Sequence, residues 1–233
     1  LVPGISAPAG GASMRRTAGS DRGADEVLRG WAQAQRVPPG AILVLPAADG
    51  GEAAALATAI APDLRRHLST FSLSAPLSEP AVRRIDAPPA GAEMPGTSAL
   101  RELFAPLALV SVRVDAVPAP PRGRASRNAL VAFEAPGAGV AARVEFSASV
   151  ALEGPAAIAE LFRVLAPRWR RHAVVAAGAA ELARAGGDVQ RLRALQGFIA
   201  QEIRLSGPGE EDVAPLEALR AATEEALRRQ PRR

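Results

Sequence analysis

Leu109-Val110-Ser111-Val112-Arg113-Val114-Asp115 alternates apolar and polar residues, and Arg143-Val144-Glu145-Phe146-Ser147-Ala148-Ser149-Val150 does the same. A β-strand sends successive side chains to opposite faces. Each run therefore predicts a strand with one dry face of Val and Phe and one wet face of Ser, Arg, Asp and Glu. Between them, Ala129 to Glu134 places Val131 and Phe133 on one face, and Pro136-Gly137-Ala138-Gly139 reads as a tight hairpin turn. Together they predict an antiparallel meander over about residues 107–151, with one face in water.

Ala41-Ile42-Leu43-Val44-Leu45 is a continuous apolar run between turn signals, the pattern of a strand buried on both faces. Ala48-Asp49-Gly50-Gly51 turns the chain. Glu52 to Leu68 then reads as helix, with Leu56, Ile60, Leu64 and Leu68 four apart, and Pro62 predicts a division into two short helices. Thr70 to Leu73 reads as a second strand. Residues 74–98 hold five prolines and are expected to form a long loop available for contacts. Ala99 to Ala105 is expected to make one or two helical turns.

The two ends differ in character. Residues 1–23 are rich in Gly, Ala, Ser and Pro and read as a flexible arm. Ala24 to Val37 reads as a helix carrying Val27, Leu28 and Trp31, stopped by Pro38-Pro39-Gly40. From Pro155 onward the period is helical. Ile158, Leu161, Phe162 and Leu165 mark one helix, and a second is expected from near Pro167 to Gly186-Gly187. A third runs from Asp188, a candidate N-cap, to about Arg204, and Gly207-Pro208-Gly209 links it to a last helix over Asp212 to Arg229. Strands followed by helices predict an α+β fold with a mixed or antiparallel sheet of about five strands and a helical C-terminal third. The expected division is an arm over 1–23, one α+β domain over 24–205, and a linker with a terminal helix over 206–233.

Composition narrows the chemistry. All 28 basic residues are Arg, and Lys, Tyr and Cys are absent. Without Cys there is no disulfide, thiolate nucleophile or Cys-type zinc site, and without Lys no Schiff base or P-loop lysine. The balance of 28 basic against 24 acidic residues is only mildly positive, unlike that of a histone-like nucleic-acid binder. The Ala, Arg, Gly and Pro bias is that of a GC-rich bacterial genome. No apolar stretch reaches the ~20 residues that span a bilayer. The chain starts at Leu1, so a removed export signal stands as an expectation beside a soluble cytoplasmic or periplasmic location.

Only His67 and His172 offer imidazoles. His67-Leu68-Ser69 resembles one His-x-Ser/Thr element of the 2H phosphoesterases. The resemblance implies a hydrolase using His67, but those enzymes need two such elements, and His172 has no hydroxyl two residues on. No metal-ligand spacing and no cofactor-binding motif is present, so no catalytic residue, cofactor or metal is assigned. The arginines are the stronger candidates for binding. Arg122, Arg124 and Arg127 lie between two predicted strands, and Arg168, Arg170 and Arg171 flank Trp169 at a predicted helix start. Guanidinium forks suit phosphate and carboxylate, so nucleic acid is the alternative to a protein partner. The same arginines also suit an ordinary solvated surface, and Trp169 suits the core.

From Ala41 to Val117 the order is an apolar strand ending Val44-Leu45-Pro46, an Ala-rich helix, a strand, a loop, a helical turn and a strand. This order resembles the amino-terminal domains of TolB-like proteins and curli-assembly-type envelope lipoproteins. The resemblance covers about a third of the chain and implies a non-catalytic, partner-binding domain at the cell envelope.

Overall fold

The computed structural model of the chain describes residues 19–48, 50–73, 76–90, 92–119, 125–135, 143–206 and 213–230. Six helices and five strands follow in the order α1 (Gly19–Ala34), β1 (Ile42–Val44), α2 (Gly51–Leu73), β2 (Val82–Arg84), α3 (Thr97–Phe104), β3 (Ala108–Val117), β4 (Ser126–Glu134), β5 (Val144–Val150), α4 (Gly154–Ala185), α5 (Val189–Leu205) and α6 (Ala214–Arg228). The strands form one sheet in the order β2-β1-β3-β4-β5. β1 pairs in parallel with β2 and β3, whereas β3, β4 and β5 pair antiparallel. The fold is α+β, with a mixed sheet and a helical C-terminal region.

β1 is sealed on both sides, as its unbroken apolar run requires. Ile42 and Val44 enter the main core with Val82, Val110 and Leu56. Leu43 turns to the opposite face, into a smaller core with Trp31, Ile85, Leu100, Phe104 and Leu109. In that smaller core Trp31 meets the Phe104 ring edge-on at 5.6 Å. α1 and α3 thus cover the parallel half of one face. α2 and α4 cover the other face, and α5 and α6 pack outside α4.

Two prolines do not divide their helices. Pro62 lies inside the single 23-residue α2, and Pro167 lies inside the single 32-residue α4, where two helices each were expected. Both rings face solvent. The carbonyls they leave without helical partners therefore face water, while the apolar stripes continue past them. In α2 that stripe is Leu56, Ile60, Leu64, Leu68 and Phe71, each wholly buried. Its burial outweighs the roughly 3 kcal/mol penalty of an interior proline.

The same stripe explains a second difference. Thr70 to Leu73, expected as a strand, is the last turn of α2, because Phe71 continues the spacing of Leu64 and Leu68 and packs on Phe198 of α5 at 4.3 Å. The second strand is β2, inside the stretch expected to be loop. It is three residues long, with Val82 inward and Arg83 and Arg84 outward, too short to show a period. The predicted Asp188 cap is present, its Oδ1 accepting from the backbone N–H groups of Gln190 (2.9 Å) and Arg191 (3.1 Å). α6 adds Leu216 and Leu219 to the main core. Residues 1–18 of the arm expected over 1–23, the 136–139 turn and the Gly207-Pro208-Gly209 linker lie outside the described residues. Residues 19–23 of that expected arm are instead the start of α1, which begins five residues before the expected Ala24.

Candidate functional site

The candidate arginines among the described residues, Arg127, Arg168, Arg170 and Arg171, point to different places. Arg122 and Arg124 lie outside the described residues. Arg127, on β4, points to the helix-covered face, opposite Ala116 and Val150. Its Nε donates to Glu52 Oε2 at 2.5 Å, and Glu52 Oε1 accepts from the backbone N–H of Gly154 at 3.0 Å. One carboxylate thereby joins the first turn of α2, β4 and the first residue of α4.

The Arg168–Arg171 run divides in several directions, as successive helical residues must. Arg168 sits over the Phe146 ring, 5.2 Å from its centroid. Arg170 grips Asp63 of α2 with two donors, Nε to Oδ2 at 2.9 Å and a second from its terminal nitrogen to Oδ1. That hydrogen bond raises the Arg170 pKa from the ordinary arginine value. Arg171 is buried. Arg127 adjoins the start of α4, and Arg168 lies fourteen residues along that helix, about 21 Å at 1.5 Å per residue. The structure therefore does not assemble Arg127 and the Arg168–Arg171 run into one basic surface. Trp169 is wholly buried, and its indole N–H donates to Asp63 Oδ2 at 2.9 Å. It is a core residue, as its place after an apolar stripe suggests.

The two histidines are equally separate. His67 on α2 faces α5, its Nε2 3.4 Å from Glu202 Oε2. The Ser69 and Thr70 hydroxyls donate back to the helical carbonyls of Arg66 (2.7 Å) and His67 (2.6 Å). His172 on α4 is buried against the sheet, stacked on Phe146 at 5.2 Å and tilted against Phe133 at 6.0 Å. The paired imidazoles of a 2H phosphoesterase are thus not brought together. Among the described residues, no group of three or more His, Asp or Glu side chains is placed to hold a metal ion.

Among the described residues, what stands open is the antiparallel half of the face whose parallel half α1 and α3 cover. Register places Ser111, Arg113 and Asp115 of β3 beside Ala132, Leu130 and Asn128 of β4, and these beside Glu145, Ser147 and Ser149 of β5. Arg113, Asp115, Asn128, Glu145, Ser147 and Ser149 are all exposed. Arg113 Nε donates to Asp115 Oδ2 at 3.0 Å. At the α3 end of this face, buried Glu134 accepts from Arg101 and Arg143, and Arg143 also bonds Glu145, which raises the Arg143 pKa above the ordinary range. Charges of both signs are interleaved on this sheet face. The period-2 alternation carried the signal for this surface, although the residues singled out from the sequence were the arginines.

No protein-family model, curated protein or solved structure matches this chain. Among the described residues, no helix is long and apolar enough to cross a membrane.

Proposed function

We propose that this chain is a non-catalytic binding or assembly protein of a bacterium with a GC-rich genome, working at the cell envelope. It engages a protein partner through the uncovered face of β3, β4 and β5. The observation that carries this reading is the exposure of Arg113, Asp115, Asn128, Ser147 and Ser149 together on one sheet face, while helices cover the other face of the same strands. A face held by a packed core presents its groups with little entropy left to lose on binding. Its mixed charge suits a polypeptide better than a polyphosphate. A nucleic-acid reading draws less support, because carboxylates already neutralise Arg127 and Arg170. The envelope location rests on the resemblance in order of elements over residues 41–117 to TolB-like and curli-assembly-type domains.

Asn128→Arg tests the reading. The new side chain stands across from Asp115 and beside Ser149, so it gains an ion pair within the sheet while covering the middle strand at the Asp115–Ser149 end of the face. Immobilised wild-type chain is expected to retain specific proteins from envelope extracts of the source cell, and the variant to lose them at unchanged thermal stability. Equal retention by both would reject this face as the binding surface.

A further inference from the structure

The sheet has two edges, and they are built differently. β2, at one edge, is three residues long, follows Pro80 and exposes Arg83 and Arg84. Short length, proline and charge are the usual guards of an edge strand. β5, at the other edge, is seven residues long, contains no proline and carries one charge, Glu145. Among the described residues its only strand partner is β4. Every second residue along its outer side therefore presents an N–H and a C=O with no strand to pair them.

We propose that the outer edge of β5 pairs antiparallel with β5 of a second copy of this chain, joining two five-stranded sheets into one of ten strands. The sequence of the strand is self-complementary. A two-fold axis through Ser147 sets Val144 against Val150, Glu145 against Ser149, Phe146 against Ala148, and Ser147 against its own copy. All seven residues are paired in this register. Residues opposite each other in a continuous sheet share a face, and here every apolar residue falls on the helix-covered face and every polar residue on the open one. No like charges oppose. Moving the axis to Glu145 would set two carboxylates directly across from each other, which is unfavourable, and an axis between residues would mismatch the faces. The main-chain hydrogen bonds supply affinity and the side-chain pairs fix register, as in other cases of strand addition. The inference goes beyond the partner-binding face: it concerns the rim of the sheet.

Ser149 gives opposite signs from one position. In the dimer it faces the partner's Glu145 twice, once on each side of the axis. Ser149→Glu therefore creates two like-charge pairs, and Ser149→Lys two favourable ones. Sedimentation equilibrium over a dilution series is expected to show wild-type mass rising from 24.0 kDa towards twice that value. The dimer Kd is expected to rise about tenfold in Ser149→Glu and to fall in Ser149→Lys, with melting curves confirming that both variants fold. A wild-type chain that stays at 24.0 kDa throughout overturns the proposal. So does a dimer whose Kd is the same in both variants. Either result leaves the Asn128→Arg capture experiment standing, so the two readings fail separately.

Discussion

Trp169→Ala is expected to lower the free energy of unfolding by about 3–5 kcal/mol. The indole is wholly buried, meets the Phe162 ring edge-on at 5.2 Å, and donates to Asp63 Oδ2. Truncation removes the largest fully buried side chain in the molecule's described residues and leaves a cavity between α2, α4 and the sheet. It also deprives a buried carboxylate of one of its donors, although Arg170 remains. A domain of this size has roughly 5–15 kcal/mol in all, so the loss is a large share of its stability. Trp169→Phe separates the two contributions. It keeps most of the ring burial and deletes the N–H, for an expected loss of about 1–2 kcal/mol. Urea unfolding curves measure both. A Trp169→Ala midpoint close to wild type would contradict the packing described for α4.

Glu181→Ala is the second large effect, an expected loss of about 2–3 kcal/mol. Glu181 is 1% exposed on α4. Its carboxylate accepts from the Ser78 backbone N–H at 3.0 Å and from Arg191 of α5 at 3.3 Å, and forms an ion pair with Arg184 at 2.9 Å. One side chain thus ties the segment after α2 to α4 and α5. Removal leaves the Ser78 N–H without that partner. The two guanidiniums are partly exposed and regain water, which holds the loss below that of a fully buried ion pair. Hydrogen exchange should quicken at Ser78 and its neighbours first. Unchanged exchange there, with unchanged stability, would contradict the structural role of Glu181.

Legibility in the sequence followed the physics of each signal. Val110, Val112 and Val114 alternate with polar residues, so β3 was readable from local pattern, as were β4 and β5. β1 was readable because a strand covered on both faces needs no polar residue. Pro62 and Pro167 misled, because the local penalty of a proline is visible in sequence whereas the burial that offsets it depends on other elements. β2 was too short for any period.

The arginine run was legible as charge but not as pairing. Asp63 and Arg170 are 107 residues apart, and no local rule joins them. A signal was nonetheless present. Asp63 interrupts the apolar stripe of α2 between Ile60 and Leu64, Glu181 falls on the buried side of α4, and Glu202 follows Phe198 and Ile199 in α5. An acid on the buried stripe of an amphipathic helix needs a partner, and in a chain without Lys an ion-pair partner must be Arg or His. Asp63 and Glu181 are paired with arginines, and Glu202 lies against His67. The uncovered face was legible as a wet face, but alternation does not tell water from a partner.

Site-specific photo-cross-linking in the source cell tests the central claim most directly. A benzophenone amino acid replaces Asn128 on the open face or, as a control, Arg220, which is exposed on the terminal helix α6. The account predicts protease-sensitive adducts from position 128 and none of the same kind from position 220. Adducts from position 220 alone, or adducts at position 128 that disappear with nuclease instead of protease, would contradict it.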